Sequence, residues 1–258
     1  MNPIENLTTY NNRMASSMED KLFFLDKIDA NIFVDYGCAD GEMLRQLQKH
    51  NPQYTLFGYD QNEDMLAIAY SASPHGIEYN DMFLDIMSNL SNIEGKSAII
   101  LSSVIHEIYS YKTSFDVSVF WKRVFESGFD YVIIRDMCFD KKLLFMTVDD
   151  SIIDMMRHKI DSQYIDDFNH RLGGGSWSMW SLYHFLLKYR YTDNWKREVR
   201  ENYVPLTSED YLKLKPDDYS LSFYDHYTLP YIKETVRNDL GLDVTEATHI
   251  KIIFKRKF

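Results

Sequence analysis

Cysteine is scarce in this chain: there are two, Cys38 and Cys138, far apart and in no Cys-x-x-Cys pair. That argues against a disulfide framework and a cysteine zinc site; both read as reduced, buried small residues of a cytosolic protein. The eight histidines are scattered, so no metal cluster is expected. Long apolar runs are missing too. None reaches the roughly 18 residues of a membrane span, and the first residues lack a signal peptide's basic-then-apolar pattern. A cytoplasmic protein that does not engage membrane is therefore expected. The net charge of -11 disfavours non-specific adhesion to nucleic acid or anionic lipid, without excluding a local basic groove. Also missing are the Gly-x-Gly-x-x-Gly of dinucleotide binders and the Gly-Lys-Ser/Thr of a phosphate loop.

What is there begins with 258 residues at 45% hydrophobic, enough to bury a full core as one domain or as one domain with a large insertion. The most informative stretch runs from Asn31 to Asp60. It reads as a buried strand (32–36), a small-residue turn (Gly37-Cys38-Ala39-Asp40-Gly41), an amphipathic helix from about 41 to 50 stopped by Asn51-Pro52, a strand (54–59), and then an acid, Asp60. Strand, small-residue loop, helix, strand, acid is the order of a nucleotide-binding β-α-β unit. Further strands are read at 77–80, 97–103 and 131–134, with helices at 63–71 and 114–127. That alternation predicts a doubly wound, mostly parallel sheet. The rhythm breaks between about Cys138 and His226, where helical stretches are read at 148–170 and 177–190 and Thr207 with Asp210 suggests a capping box. It returns with a helix at 229–240, closed by Gly241, and strands at about 242–246 and 249–256.

The acid Asp35 followed by Gly37-x-Ala39-x-Gly41, paired with Asp60, resembles the first motif and ribose acid of class I S-adenosylmethionine (SAM) dependent methyltransferases. The resemblance covers roughly 30–136 and resumes at about 228–258. It implies a seven-stranded sheet ending in an antiparallel hairpin, with the helical stretch inserted between strands five and six. The implied organisation is an N-terminal helical cap (1–30), a SAM-binding core (31–137), an aromatic-rich lid over the acceptor (138–227) and a C-terminal completion of the core (228–258).

It also implies site residues. Gly37, Ala39 and Gly41 would let the backbone pass beneath the cofactor, and Asp35 would organise that loop. Asp60 would accept the ribose hydroxyls, Gln61 would pack on adenine, and Asp81 with the Met82 backbone N–H would meet the adenine edge, Asp85 competing for that role. Arg13 would hold the methionine carboxylate from the N-terminal segment, its guanidinium suiting a bidentate contact. Ser102 and Ser103 correspond to the strand-end residues that touch the methionine part. His106 is the candidate general base, with Glu107 orienting it; a packing role for His106 is the competing reading. Tyr109 and Tyr111 would line the acceptor pocket, and Arg135-Asp136 sits at the ligand edge or forms a buried pair. The Asn/Asp-Pro-Pro-Tyr tetrapeptide of nucleic-acid N-methylating members is absent.

The expected activity is thus methyl transfer from SAM to a small-molecule acceptor. A nucleic acid is the alternative acceptor, because Lys188, Arg190, Lys196, Arg197 and Arg200 interleave with Tyr189, Tyr191 and Trp195. Against it, the aromatics would equally make a core for the insertion while Asp193, Glu198 and Glu201 dilute the basic run. A third reading is a SAM-binding regulatory module without turnover.

Overall fold

The computed structural model describes residues 17–257, so the Arg13 expectation lies outside the described residues. Seven strands form one sheet in the order β3-β2-β1-β4-β5-β7-β6. The central strand β1 (Ile32–Tyr36) is buried along its whole length, as a parallel strand covered on both faces must be. It pairs in parallel with β2 (Thr55–Tyr59) on one side and β4 (Ser97–Ser102) on the other; β3 (Ile77–Asn80) and β5 (Tyr131–Met137) extend the parallel set outward. The chain winds from β1 towards β3, then crosses back to β4. The crevice past the carboxyl ends of β1 and β4 is therefore the topological switch point at which such sheets bind ligands.

Helices cover both faces. The turn after β1 leads into α2 (Glu42–His50), which buries Met43, Leu44 and Leu47; α1 is the short Met18–Lys21. α3 (Glu63–Ala72) starts at Asn62, whose side chain accepts the Asp64 and Met65 N–H groups. α4 (Phe83–Leu90) and α5 (Ile105–Tyr111), neither of them anticipated as helices, precede and follow β4. α6 (Ser114–Glu126) begins in a Thr113–Asp116 capping box.

Between β5 and β6 lies the insertion: α7 (Asp150–Lys159), α8 (Ser162–Phe168), α9 (Met179–Leu186), α10 (Trp195–Glu198) and α11 (Ser208–Lys213), the last opened by the expected Thr207–Asp210 capping box. Its aromatics form a core of their own, in which Phe168, Tyr183, Phe185 and Trp195 pack with Ile232, Val236 and Leu240 of α12 (Pro230–Leu240). The helical stretch expected over 148–170 is divided into two helices, because Ile160 is extended and Asp161 caps a new start.

The antiparallel end of the sheet is β7 (His249–Arg256), between β5 and β6. β6 is Tyr219–Tyr227, on the far side of α12 from β7, and 242–246 is not a strand. The alternation of Leu242 and Val244 that suggested one instead serves packing on the insertion core. Tyr219, Leu221 and Phe223 do alternate with Ser220 and Ser222, but β6 is a mostly half-exposed or exposed edge strand and is interrupted by a register shift between Leu221 and Phe223.

One close approach ties β2 to β3. A Cβ on Gly58 would lie 2.5 Å from Tyr79 Cδ1 and 2.9 Å from Cys38 Sγ. Gly58→Ala is expected to destabilise the protein by about 1–3 kcal/mol through overpacking, read as a lower urea midpoint at unchanged slope.

Candidate functional site

The turn after β1 is built from left-handed backbone: Gly37, Ala39 and Gly41 have φ of 83°, 47° and 77°. Ala39 is one of two non-glycine residues with positive φ among those described, the other being Ser103, and both stand at the sheet's ligand edge. Gly37 and Cys38 donate their N–H groups to the Tyr59 carbonyl at 2.7 and 2.9 Å. Ala39 donates to Asp60 Oδ2 at 2.9 Å and Asn62 to Asp60 Oδ1 at 2.8 Å. The turn and the acid are thus one hydrogen-bonded unit, and each Asp60 oxygen keeps acceptor capacity. Burial raises the Asp60 pKa against the backbone N–H groups that lower it. A Cβ on Gly37 would sit 2.7 Å from Val104 Cγ2, so the turn and the start of α5 are in contact. Asp35 lies buried beneath; burial pushes its carboxyl up to about 7, with Lys21 of α1 opposing.

On the β3 side, Asp81 and Met82 are exposed, and the Met82 N–H donates to Asn80 Oδ1 at 2.7 Å. Asn80 also reaches Asp85 Oδ2 at 3.5 Å, so it organises this corner, a role the sequence did not announce. Gln61 donates to the Tyr59 hydroxyl at 3.0 Å and accepts from Lys112 Nζ at 3.1 Å.

At the end of β4, the buried Ser102 Oγ has no hydrogen-bond partner among the described residues. Ser103 is held left-handed, its N–H donating to the Arg135 carbonyl at 2.8 Å and its Oγ accepting from Arg135 Nη1 at 2.9 Å. Strand alternation sends Arg135 and Asp136 to opposite faces, so they are not a pair. Arg135 Nε donates to Asp20 Oδ2 at 3.0 Å; Tyr227 donates to the same oxygen at 2.6 Å, and Lys251 pairs with Oδ1. Asp136 instead receives α5: Ile105 and His106 N–H at 2.9 and 3.2 Å on Oδ2, His106 Nδ1 at 2.8 Å on Oδ1.

His106 is buried, and burial alone would lower its pKa. The Asp136 carboxylate, helped by Glu201 and Glu107, outweighs that and holds it up at about 8. Among other facing groups, Arg197 bonds both glutamates, while His184 and His249 have pKa values well below the usual value, chiefly through burial. Beyond His106 opens a cavity of about 420 Å³, lined by Ser103, Glu107 and Arg135 from the sheet side and by Arg197, Glu198, Glu201, Tyr203 and Tyr231 from across it. Glu107 does not orient His106. It accepts from Arg197 Nη2, and Arg197 Nε donates to Glu201 Oε1 at 2.7 Å. His106, Glu107 and Glu201 bring possible ligand atoms within 4.8 Å of one another, but the cation bonded to both carboxylates is a guanidinium.

The expected basic surface does not form as one. Lys188 is fully buried, its Nζ donating to the Glu198 and Glu201 carbonyls beneath the Tyr203 ring, and Arg197 is buried in the network above. Arg190, Lys196 and Arg200 are exposed, and Arg190 pairs with Asp239 at 3.5 Å. Tyr109 accepts from Trp121 Nε1 at 3.0 Å, whereas Tyr111 donates to Glu201 at 3.0 Å. Glu198 and Glu201 were read only as diluting charges, though their i, i+3 spacing places both on one side of a helical turn.

No known family model matches the chain. It is 29% identical over 112 residues to the carboxy-S-adenosyl-L-methionine synthase of Campylobacter hominis, a match spanning 43% of this chain and about half (47%) of that protein. Among solved structures, the plantazolicin methyltransferase BamL, in complex with a triazolic desmethylPZN analog and SAH (S-adenosylhomocysteine), superposes with a TM-score of 0.50 at 11% identity over 97% of this chain and 89% of its own. The methyltransferase domain of bacterial CtHen1 gives 0.46 at 15% identity over 93% and 97%. The fold is that of the Rossmann-like, class I SAM-dependent methyltransferases. No helix among the described residues is long and apolar enough to cross a membrane.

The Asp136 bond sets the titration of His106. Nitrogen-detected NMR is expected to place that titration near pH 8. In Asp136→Asn the anion is lost while burial remains, so the value should fall below the ordinary histidine value of about 6.5.

Proposed function

We infer that the protein is a SAM-dependent methyltransferase acting on a small-molecule acceptor held between the sheet edge and the insertion. The observation that carries this reading is the juxtaposition of two half-sites. The left-handed turn bonded to Asp60 abuts Val104, and two residues further on His106 opens on the cavity. Asp60 also lies within electrostatic range of Arg197 on the cavity wall.

The residues fit the cofactor. Asp60 would take the ribose hydroxyls with the acceptor capacity its two backbone bonds leave. The Ser102 Oγ, without a partner among the described residues, and the turn of Gly37, Ala39 and Gly41 would meet the methionine part, and Gln61, Asp81 and Met82 would meet the adenine. Bound SAM supplies an electrophilic methyl group on a sulfonium. The chain's own residues then hold the acceptor, exclude water and take a proton. His106 is fitted for that last task, since Asp136 fixes Nδ1 as the protonated nitrogen and leaves Nε2 facing the cavity.

An open cavity lined by a candidate base favours turnover over a regulatory module. A nucleic acid is the weaker acceptor reading because two of its five proposed cations are enclosed. The curated relative is a synthase that makes a carboxylated SAM, which adds support for a SAM-type ligand.

Two outcomes test the assignment. Asp60→Ala should weaken SAM binding by about 1–3 kcal/mol in calorimetry, since buried hydroxyls lose their acceptors; unchanged affinity in a folded variant would remove Asp60 from the site. His106→Ala should leave SAM affinity within a few-fold and lower turnover by roughly 10²–10⁴. The base must be neutral to accept a proton, so kcat/KM in the unmodified enzyme should rise with pH through about 8 and then level. A flat profile from pH 6 to 9 would demote His106 to packing.

A further inference from the structure

We propose that the acceptor is a primary or secondary amine, taken up as the ammonium ion and held between Glu201 and His106; this deepens the methyltransferase reading and rests on it. Two hydrogen-bond acceptors at the cavity lie within reach of a single atom. Glu201 is 2% exposed; its Oε1 is taken by Arg197 Nε at 2.7 Å and the Tyr111 hydroxyl at 3.0 Å. Its Oε2 makes no hydrogen bond among the described residues and lies 4.0 Å from His106 Nε2. With Nδ1 committed to Asp136, neutral His106 leaves the Nε2 lone pair likewise without a partner.

An atom bonded to both at about 2.9 Å subtends roughly 90° between them, close to the angle between two N–H bonds. A nitrogen bearing two or more hydrogens satisfies both acceptors at once. A hydroxyl has one hydrogen and leaves the other acceptor buried and unpaired. Glu107, Glu198 and Glu201 line the cavity with Arg135, Arg190 and Arg197, and of these cations Arg135 and Arg190 are also paired with Asp20 and Asp239. Tyr203 and Tyr231 also line the cavity, Tyr203 already carrying Lys188 against its ring.

The chemistry balances. The ammonium gives one N–H proton to His106 Nε2 while Glu201 Oε2 holds a second hydrogen and aims the freed lone pair. That pair forms the nitrogen–carbon bond as the methyl's bond to sulfur breaks, both electrons staying on sulfur. The methylated nitrogen keeps the positive charge, and the imidazolium releases its proton to water.

The test uses the intact protein saturated with SAH and titrated in a calorimeter with phenethylamine or with 2-phenylethanol, which differ only in the acceptor group. The amine is expected to bind at least about tenfold more tightly. Glu201→Gln should erase that preference while SAH affinity stays within twofold. If SAH binds but the alcohol matches the amine, or the amine gives no saturable heat, the amine assignment fails and the methyltransferase reading stands. If SAH itself does not bind, the underlying reading fails. The comparison on the unmodified protein decides the matter even where Glu201→Gln does not fold.

Discussion

The Asp136 carboxylate is the point on which the rest of the site turns. It is fully buried at the end of β5 and collects the N–H groups of Ile105, His106 and Met137 together with His106 Nδ1. A buried carboxylate is tolerated only when it is satisfied in this way. One side chain therefore closes the start of α5, fixes the distance between β4 and β5 past their hydrogen-bonded ends, and sets which nitrogen of His106 faces the cavity. Its neighbour Arg135 does the corresponding work on the opposite face, holding Ser103 in its left-handed conformation and fastening α1 through Asp20. Two consecutive residues of one strand thus organise the two faces of the ligand edge.

Across the cavity the constraint is different. Lys188 is enclosed beneath Tyr203, and burial pushes its pKa down to about 7. Its contacts with the Glu198 and Glu201 carbonyls bind α9 to the segment that presents Glu198, Glu201 and Tyr203. Arg197 then joins that segment to α5 through Glu107. The insertion side of the cavity is held by buried charge where the turn after β1 is held by backbone.

That difference explains what the sequence disclosed. Strands β1 to β5, the turn at Gly37-Ala39-Gly41 and the Thr207–Asp210 cap were legible because each depends on neighbours a few residues away: continuous apolar runs, small residues, a Thr with an acid three positions on. The partners of His106 and Glu107 were not, because His106 meets Asp136 across 30 residues and Glu107 meets Arg197 across 90. Local composition cannot separate a solvated basic face from an enclosed ion network, which is why Lys188 and Arg197 read as surface cations. β6 escaped for a third reason. It is an edge strand with few buried positions, while Leu242 and Val244, spaced as in a strand, pack against the insertion from a loop.

Most of the insertion packs in a cluster of side chains distinct from the sheet core, though its Tyr211 joins the latter, and among the described residues Glu107 bonds Arg197, Tyr111 bonds Glu201 and Ser110 accepts the Asn202 N–H across the cavity. All three end on α5 rather than on a strand. A change in residues 179–203 would therefore be felt across the cavity chiefly through α5, and one that removes Arg197 would take away the cation that Glu107 and Glu201 share.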